Sequence, residues 1–233
     1  VDFFRSIILA ALFAGITAGT ALTGLQTLKV FPLVFAAEEI ENSGGVGTHV
    51  HSADSGDTED EWMPSDGLER LFYSFLSNVL ISVGLGLALA AVMAVRRVTD
   101  WRQGVIWGLC GFIVVNLAPA LGMPPELPGM PAGDLVERQT WWWATAFLTA
   151  SGLALIFLVK GQISGIAGVV ALALPHVYGA PHSIDNTSLI PAYLAAEFAT
   201  ASLSTNLVFW ALLGALSALA IAHQLDEDQL QAD

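Results

Sequence analysis

Long apolar runs and short polar breaks alternate along this chain. A helix that crosses a bilayer needs about 20 mostly apolar residues. The first such run is Ser6 to Leu28, following Arg5. The second is Leu71 to Val95, ended by Arg96 and Arg97, and the third is Gly104 to Leu121. A fourth opens at Trp141-Trp142-Trp143, an aromatic cluster of the kind that marks membrane interfaces, and reaches Val159 before Lys160. Ile163 to Leu174 is shorter and flanked by glycine. It reads either as a tilted short span reaching Val177 or as a re-entrant hairpin. Leu203 to Ala222 closes the series. The pattern predicts an all-α, polytopic transmembrane helix bundle of about six spans, a single membrane domain over residues 1–233. Val34-Phe35-Ala36 could pass for a signal-peptide cleavage site, but the run before it exceeds the 7–15 residues of a signal core, so the first run reads as a retained span. It carries Gly15 and Gly19, a spacing that lets helices approach closely.

The breaks are as distinctive as the runs. Residues Glu38 to Glu69 hold ten carboxylates and no lysine or arginine. With no apolar periodicity, residues 38–69 are expected to form a flexible acidic loop. His49-Val-His51 lies inside it, and in an extended chain those two histidines point the same way. Gly122-Met-Pro-Pro-Glu-Leu-Pro-Gly-Met-Pro131 is too rich in proline for helix and reads as a turn. Leu174-Pro-His-Val-Tyr-Gly-Ala-Pro-His-Ser-Ile-Asp185 carries two histidines and an aspartate beside two prolines, which predicts a bent, non-helical segment. Residues 223–233 form an acidic tail expected to be unstructured.

Basic residues orient such a bundle, since they favour the cytoplasmic side. Six spans with a cytoplasmic N-terminus place Arg5, Arg96, Arg97, Arg102 and Lys160 inside and Lys29, Arg70 and Arg138 outside, five against three. The acidic loop, the proline turn and the His176–His182 segment then face outward. Asn78, Asn116, His176, Asn206 and Glu197 gather towards that same side. Ionisable groups at membrane depth are costly and often mark ion paths, so these residues outline an outward-facing vestibule.

Composition narrows the function classes. The chain is 55% hydrophobic and 12% charged, with a mean hydropathy of +0.64, whereas soluble domains carry about 25% charge. A net charge of -13 excludes an electrostatic nucleic-acid binder. The single cysteine, Cys110, leaves no thiolate cluster and no disulfide framework. There is no Gly-x-x-x-x-Gly-Lys-Ser/Thr motif for ATP, and no His-Glu-x-x-His or activated nucleophile for a membrane enzyme. Imidazole with carboxylate is a ligand set for divalent transition metals. The candidate metal-contacting residues are therefore His176, His182, Asp185 and Glu197, with His49 and His51 in the acidic loop. Two readings compete. One is a metal permease subunit, with metal as cargo and no permanently bound cofactor. The other is a structural or accessory subunit, whose Gly/Ala-rich helices pack against other subunits or further copies of the chain.

Several runs resemble the CbtA family of cobalt transporter subunits. They are Ala118-Pro-Ala-Leu-Gly-Met-Pro-Pro-Glu-Leu-Pro-Gly-Met130, Arg138-Gln-Thr-Trp-Trp142, Leu174-Pro-His-Val-Tyr-Gly-Ala-Pro-His182, Pro191-Ala-Tyr-Leu-Ala-Ala-Glu-Phe198 and the exit Val30-Phe-Pro-Leu33. The resemblance covers most of the chain outside the acidic loop and the tail. It implies cobalt uptake across a bacterial inner membrane, a link to cobalamin biosynthesis, and a small single-span, histidine-bearing partner, CbtB. The family is usually described with five spans, one fewer than the hydropathy pattern counts.

Overall fold

The structure is a computed structural model that describes residues 2–44, 64–65, 67–183 and 187–230. The described elements are helical: α1 (Asp2–Lys29), α2 (Phe31–Gly44), α3 (Leu68–Val95), α4 (Trp101–Phe112), a π-helical turn (Ile113–Leu117), α5 (Ala118–Gly122), α6 (Leu135–Phe157), α7 (Gln162–Tyr178) and α8 (Ala192–Leu230). The segment α4–π turn–α5 is continuous, so five helices are long and apolar enough to cross a membrane. The chain is a multi-pass membrane protein. α7 is a sixth apolar helix of 17 residues, about 26 Å long at 1.5 Å per residue, the lower limit for a crossing. It is one uninterrupted helix lying antiparallel to α6, not a re-entrant hairpin.

In a bilayer no hydrophobic force drives helices together, so close backbone packing must do it. Ile7, Ala10, Ala14, Ala18 and Leu22 recur every three or four residues along α1 and are buried against α3 and α8. At Gly15 a Cβ would sit 2.6 Å from the Val83 Cα, and at Gly19 it would strike Ser82 and Val79. Asn78 secures the same contact by donating to Thr23 Oγ1 (3.0 Å) and Gln26 Oε1 (2.7 Å). It therefore joins α3 to α1 rather than opening onto a vestibule. α4 meets α8 through Gly104 and Gly214, each backed on the other's carbonyl, and through Gly108 against the Trp210 carbonyl. α6 and α7 meet the same way, with Gly152 and Gly168 facing each other's carbonyl oxygens. This hairpin touches the rest of the bundle mainly through the π turn and α5.

Four expectations change. Glu38, Glu39 and Glu41 lie in α2, not in an irregular loop. Pro32 cannot continue α1, so the chain turns at Val30 and restarts, and Ala37 of α2 is then buried with Leu127, Ile190 and Leu194. α7 runs through Pro175, so His176 is helical. The Pro175 carbonyl accepts from Trp141 Nε1 (3.3 Å) and from the Gly179 N–H (3.1 Å), which holds the last turn despite the proline. α8 begins at Ala192, so Glu197 is inside the last span's helix. Leu194, packed with Phe198 beneath α2, accounts for the early start. The tail is also helical as far as Leu230, a continuation of the same hydrogen-bonded rod. Asp185, His49 and His51 fall outside the described residues.

Replacing Gly108 by valine should destabilise the protein by about 1–3 kcal/mol, the usual cost of overpacking, because the new Cβ meets a backbone carbonyl. Gly24 has open space around it, and Gly24→Ala should change stability by less than about 0.5 kcal/mol. Thermal unfolding of both variants in detergent checks the contrast, and equal effects would refute this account of the α4–α8 contact.

Candidate functional site

The amides, histidines and acidic residues singled out from the sequence lie, where described, towards one end of the bundle. α2, the proline turn and the start of α8 form a small apolar cap there, built on Ala37, Leu127, Ile190 and Leu194. Gly129 has a φ of 77°, which glycine adopts without strain, and its position lies against the Glu41 carboxylate. Arg70, near the start of α3, grips Glu38 of α2 through two hydrogen bonds (3.1 and 2.6 Å) and stacks over Phe35 at 5.0 Å. One carboxylate of the acidic stretch is thus held in an ion pair rather than left for cations.

Beside the cap is a cleft of about 240 Å³ between the α4–α5 end, the proline turn, α6 and α8. Its polar lining is Asn116, Glu126, Arg138, Ser202 and Asn206, with Met123 and Trp142 beside them. Asn116 sits in the π turn, three residues before Pro119 at the start of α5. Proline has no N–H to give back along the helix, and π turns recur at functional sites. The Asn116 Oδ1 accepts from Trp210 Nε1 at 2.7 Å. Asn206 Nδ2 donates to the Ser202 carbonyl at 2.9 Å. Asp134 caps α6 by accepting from the Glu137 N–H (3.0 Å), and one turn on, Arg138 donates to Glu126 at 2.7 Å. The two charged side chains are 30% and 28% exposed.

The three consecutive tryptophans divide their duties. Trp141 is buried against Gly122 and Pro175 and meets the His176 ring edge-on at 6.0 Å. Trp142 lines the cleft. Trp143 is exposed beside Phe147, as an interfacial ring would be. Trp141 therefore fixes the end of α7 to the end of α5.

The sequence-derived ligands are placed as follows. His176 is half-buried on Trp141, and His182 is exposed in the irregular stretch after α7, its backbone against Gly133. Glu197 is exposed on α8, roughly 140° around the helix from Ser202 at 100° per residue. Among the described residues no three His, Cys, Asp or Glu side chains come together. Asn116 and Asn206, singled out from the sequence, do share the cleft. Nothing in the sequence pattern singles out Glu126 and Arg138 as a site, and the one signal available is an opposite-charge pair bracketing the proline turn.

Trp141→Phe keeps a ring but removes the bond to Pro175. It should cost about 1 kcal/mol, a typical net hydrogen bond, and speed amide exchange in the last turn of α7. Trp141→Ala should cost about 3–5 kcal/mol. Thermal unfolding and hydrogen exchange of the purified protein measure both, and unchanged exchange in the α7 end would remove Trp141 as its anchor.

A family model described as "Probable cobalt transporter subunit (CbtA)" matches residues 4–222, nearly the whole chain, and the chain belongs to that family. No curated protein and no solved structure matches it.

Proposed function

We propose that this CbtA-family chain is the membrane-embedded subunit through which cobalt enters across a bacterial inner membrane, supplying cobalamin biosynthesis. The observation that carries the reading is the family match over residues 4–222. The membrane-length helices give it the required body. The N-terminus is cytoplasmic and the capped end faces outward, in keeping with five basic residues against three. The word "subunit" in the family description supports a partner, and that partner is a small, single-span CbtB-like chain.

The metal is cargo, not a resident cofactor, and the chain has no catalytic role. The acidic stretch raises the local concentration of cations, and His49 and His51 offer weak imidazole coordination. His176, His182, Asp185 and Glu197 then replace part of the hydration shell with exchangeable affinity. Nitrogen and oxygen ligands of this kind suit divalent cobalt, though nickel and copper bind such sets more tightly. Selectivity then comes from geometry, metal availability or the partner. The membrane potential supplies about 2.3 kcal/mol per charge per 100 mV, hence about 4.6 kcal/mol for a divalent ion, enough for a roughly thousandfold gradient.

The test is uptake of radioactive cobalt by cells that lack other importers and express this chain with its small partner. The intact pair should accumulate cobalt. His176→Ala/His182→Ala should abolish uptake with the protein still in the membrane. Equal uptake would remove the histidines from the path, and no uptake by the intact pair would refute cobalt transport.

A further inference from the structure

The cleft under the proline turn contains charge that the histidine set does not use. We propose that it is a transient divalent-cation site in which Glu126 is the anionic ligand and Arg138 a built-in counter-ion that the arriving cation displaces. This rests on the transport reading for its cargo, but the site is argued from the cleft's own chemistry.

The first argument is the asymmetry between the two ion pairs of the capped end. Arg70 and Glu38 are joined by two hydrogen bonds, the stronger, bidentate arrangement. Arg138 and Glu126 share one, from Nη2 to Oε2. Glu126 therefore keeps Oε1 uncommitted among the described residues. The pair is twelve residues apart across a proline turn, so separating it breaks no helix.

The second argument is the sign of the lining. Asn206 spends one of its two amide N–H groups on the Ser202 carbonyl and keeps its Oδ1 lone pairs. Asn116 has its oxygen fixed by Trp210, with a second lone pair in hand. Met123 adds a soft thioether. Pro124 and Pro125 also line the cleft and bring no N–H to it, while the Pro119 carbonyl already accepts from the Met123 N–H at 2.9 Å. The cleft also holds donors in its two amides, the Ser202 hydroxyl and the guanidinium; what it offers a cation is the uncommitted Glu126 Oε1 with the Asn206 and Asn116 oxygens beside it.

The third argument is size. A water occupies about 30 Å³ of liquid volume, so about 240 Å³ holds an ion with several of its waters. Organic ligands occupy pockets of about 300–1,000 Å³. One carboxylate with amide oxygens binds weakly, as a conducting site must, since an ion has to leave it again. Between ions, Arg138 keeps the half-buried Glu126 neutralised, which avoids the penalty of an unpaired charge.

Two ends of a structural salt bridge behave alike when cut, whereas a ligand and its competitor behave oppositely. The experiment is equilibrium binding of radioactive cobalt(II) to the purified full chain in lipid nanodiscs. The background is His49→Ala/His51→Ala/His176→Ala/His182→Ala, which removes every imidazole except that of His223, near the far end of α8. Glu126→Gln should weaken binding about tenfold, the low end for losing a group that tunes a metal site. Arg138→Gln should tighten it at least about threefold, because a like charge has gone. Asn206→Leu, which leaves the ion pair untouched, should weaken binding and serves if Glu126→Gln fails to fold. Unchanged affinity in the folded variants, or weakening by both Glu126→Gln and Arg138→Gln, overturns the proposal. Cobalt uptake by cells separates the two claims. An intact chain that binds with these opposite shifts but transports nothing refutes the transport reading alone. An intact chain that transports, with affinity indifferent to all three substitutions, refutes this site alone.

Discussion

Everything in this fold depends on helices whose backbones touch. Lipid tails are as apolar as leucine, so burying leucine between helices gains little over leaving it in lipid. What remains is van der Waals contact at short range, and it requires residues without bulk. Gly104 against Gly214, Gly15 against Val83 and Gly152 against Gly168 supply that contact at three separate interfaces. The same logic explains the many large apolar residues on the outside, such as Phe147, Ile163 and Val170. They face hydrocarbon and need no protein neighbour.

The spans were legible because each is a long apolar run, and hydropathy reports transfer into lipid directly. What escaped is what tertiary contact decides. Nothing local makes residues 38–44 helical. Their helix depends on Leu127 and Ile190, about 90 and 150 residues further along the chain. Pro175 argued against helix at His176 by its own geometry, but the bond from Trp141 Nε1 holds the turn. The start of α8 moved for a similar reason, since Leu194 and Phe198 have partners in α2.

The candidate site was half legible. Asn116 and Asn206 stand out as amides in apolar helices, and the cleft contains both. Glu126 sits among turn residues and Arg138 in the first turn of α6, both places where charge is ordinary, so composition alone gives them no weight. Only the fold of the proline turn back onto α6 brings them to 2.7 Å. His176 and His182 were legible as chemistry but not as geometry. Their rings belong to different environments, one against Trp141 and one at the surface. The family match makes the chain a probable cobalt transporter subunit, and the cleft at the capped end holds both the amides that stand out in the sequence and the ion pair that does not.

The length of α7 has a consequence for the surrounding lipid. At about 26 Å its 17 residues fall short of a hydrocarbon core about 30 Å thick, while its neighbour α6 has 23 residues. Hydrophobic mismatch of this kind is relieved by thinning the bilayer locally, at a fraction of a kcal/mol per Å. The strain falls on the hairpin that is anchored to the bundle mainly at its Trp141 end. By length alone, α7 is the span on which a change of acyl-chain length would bear before the longer helices.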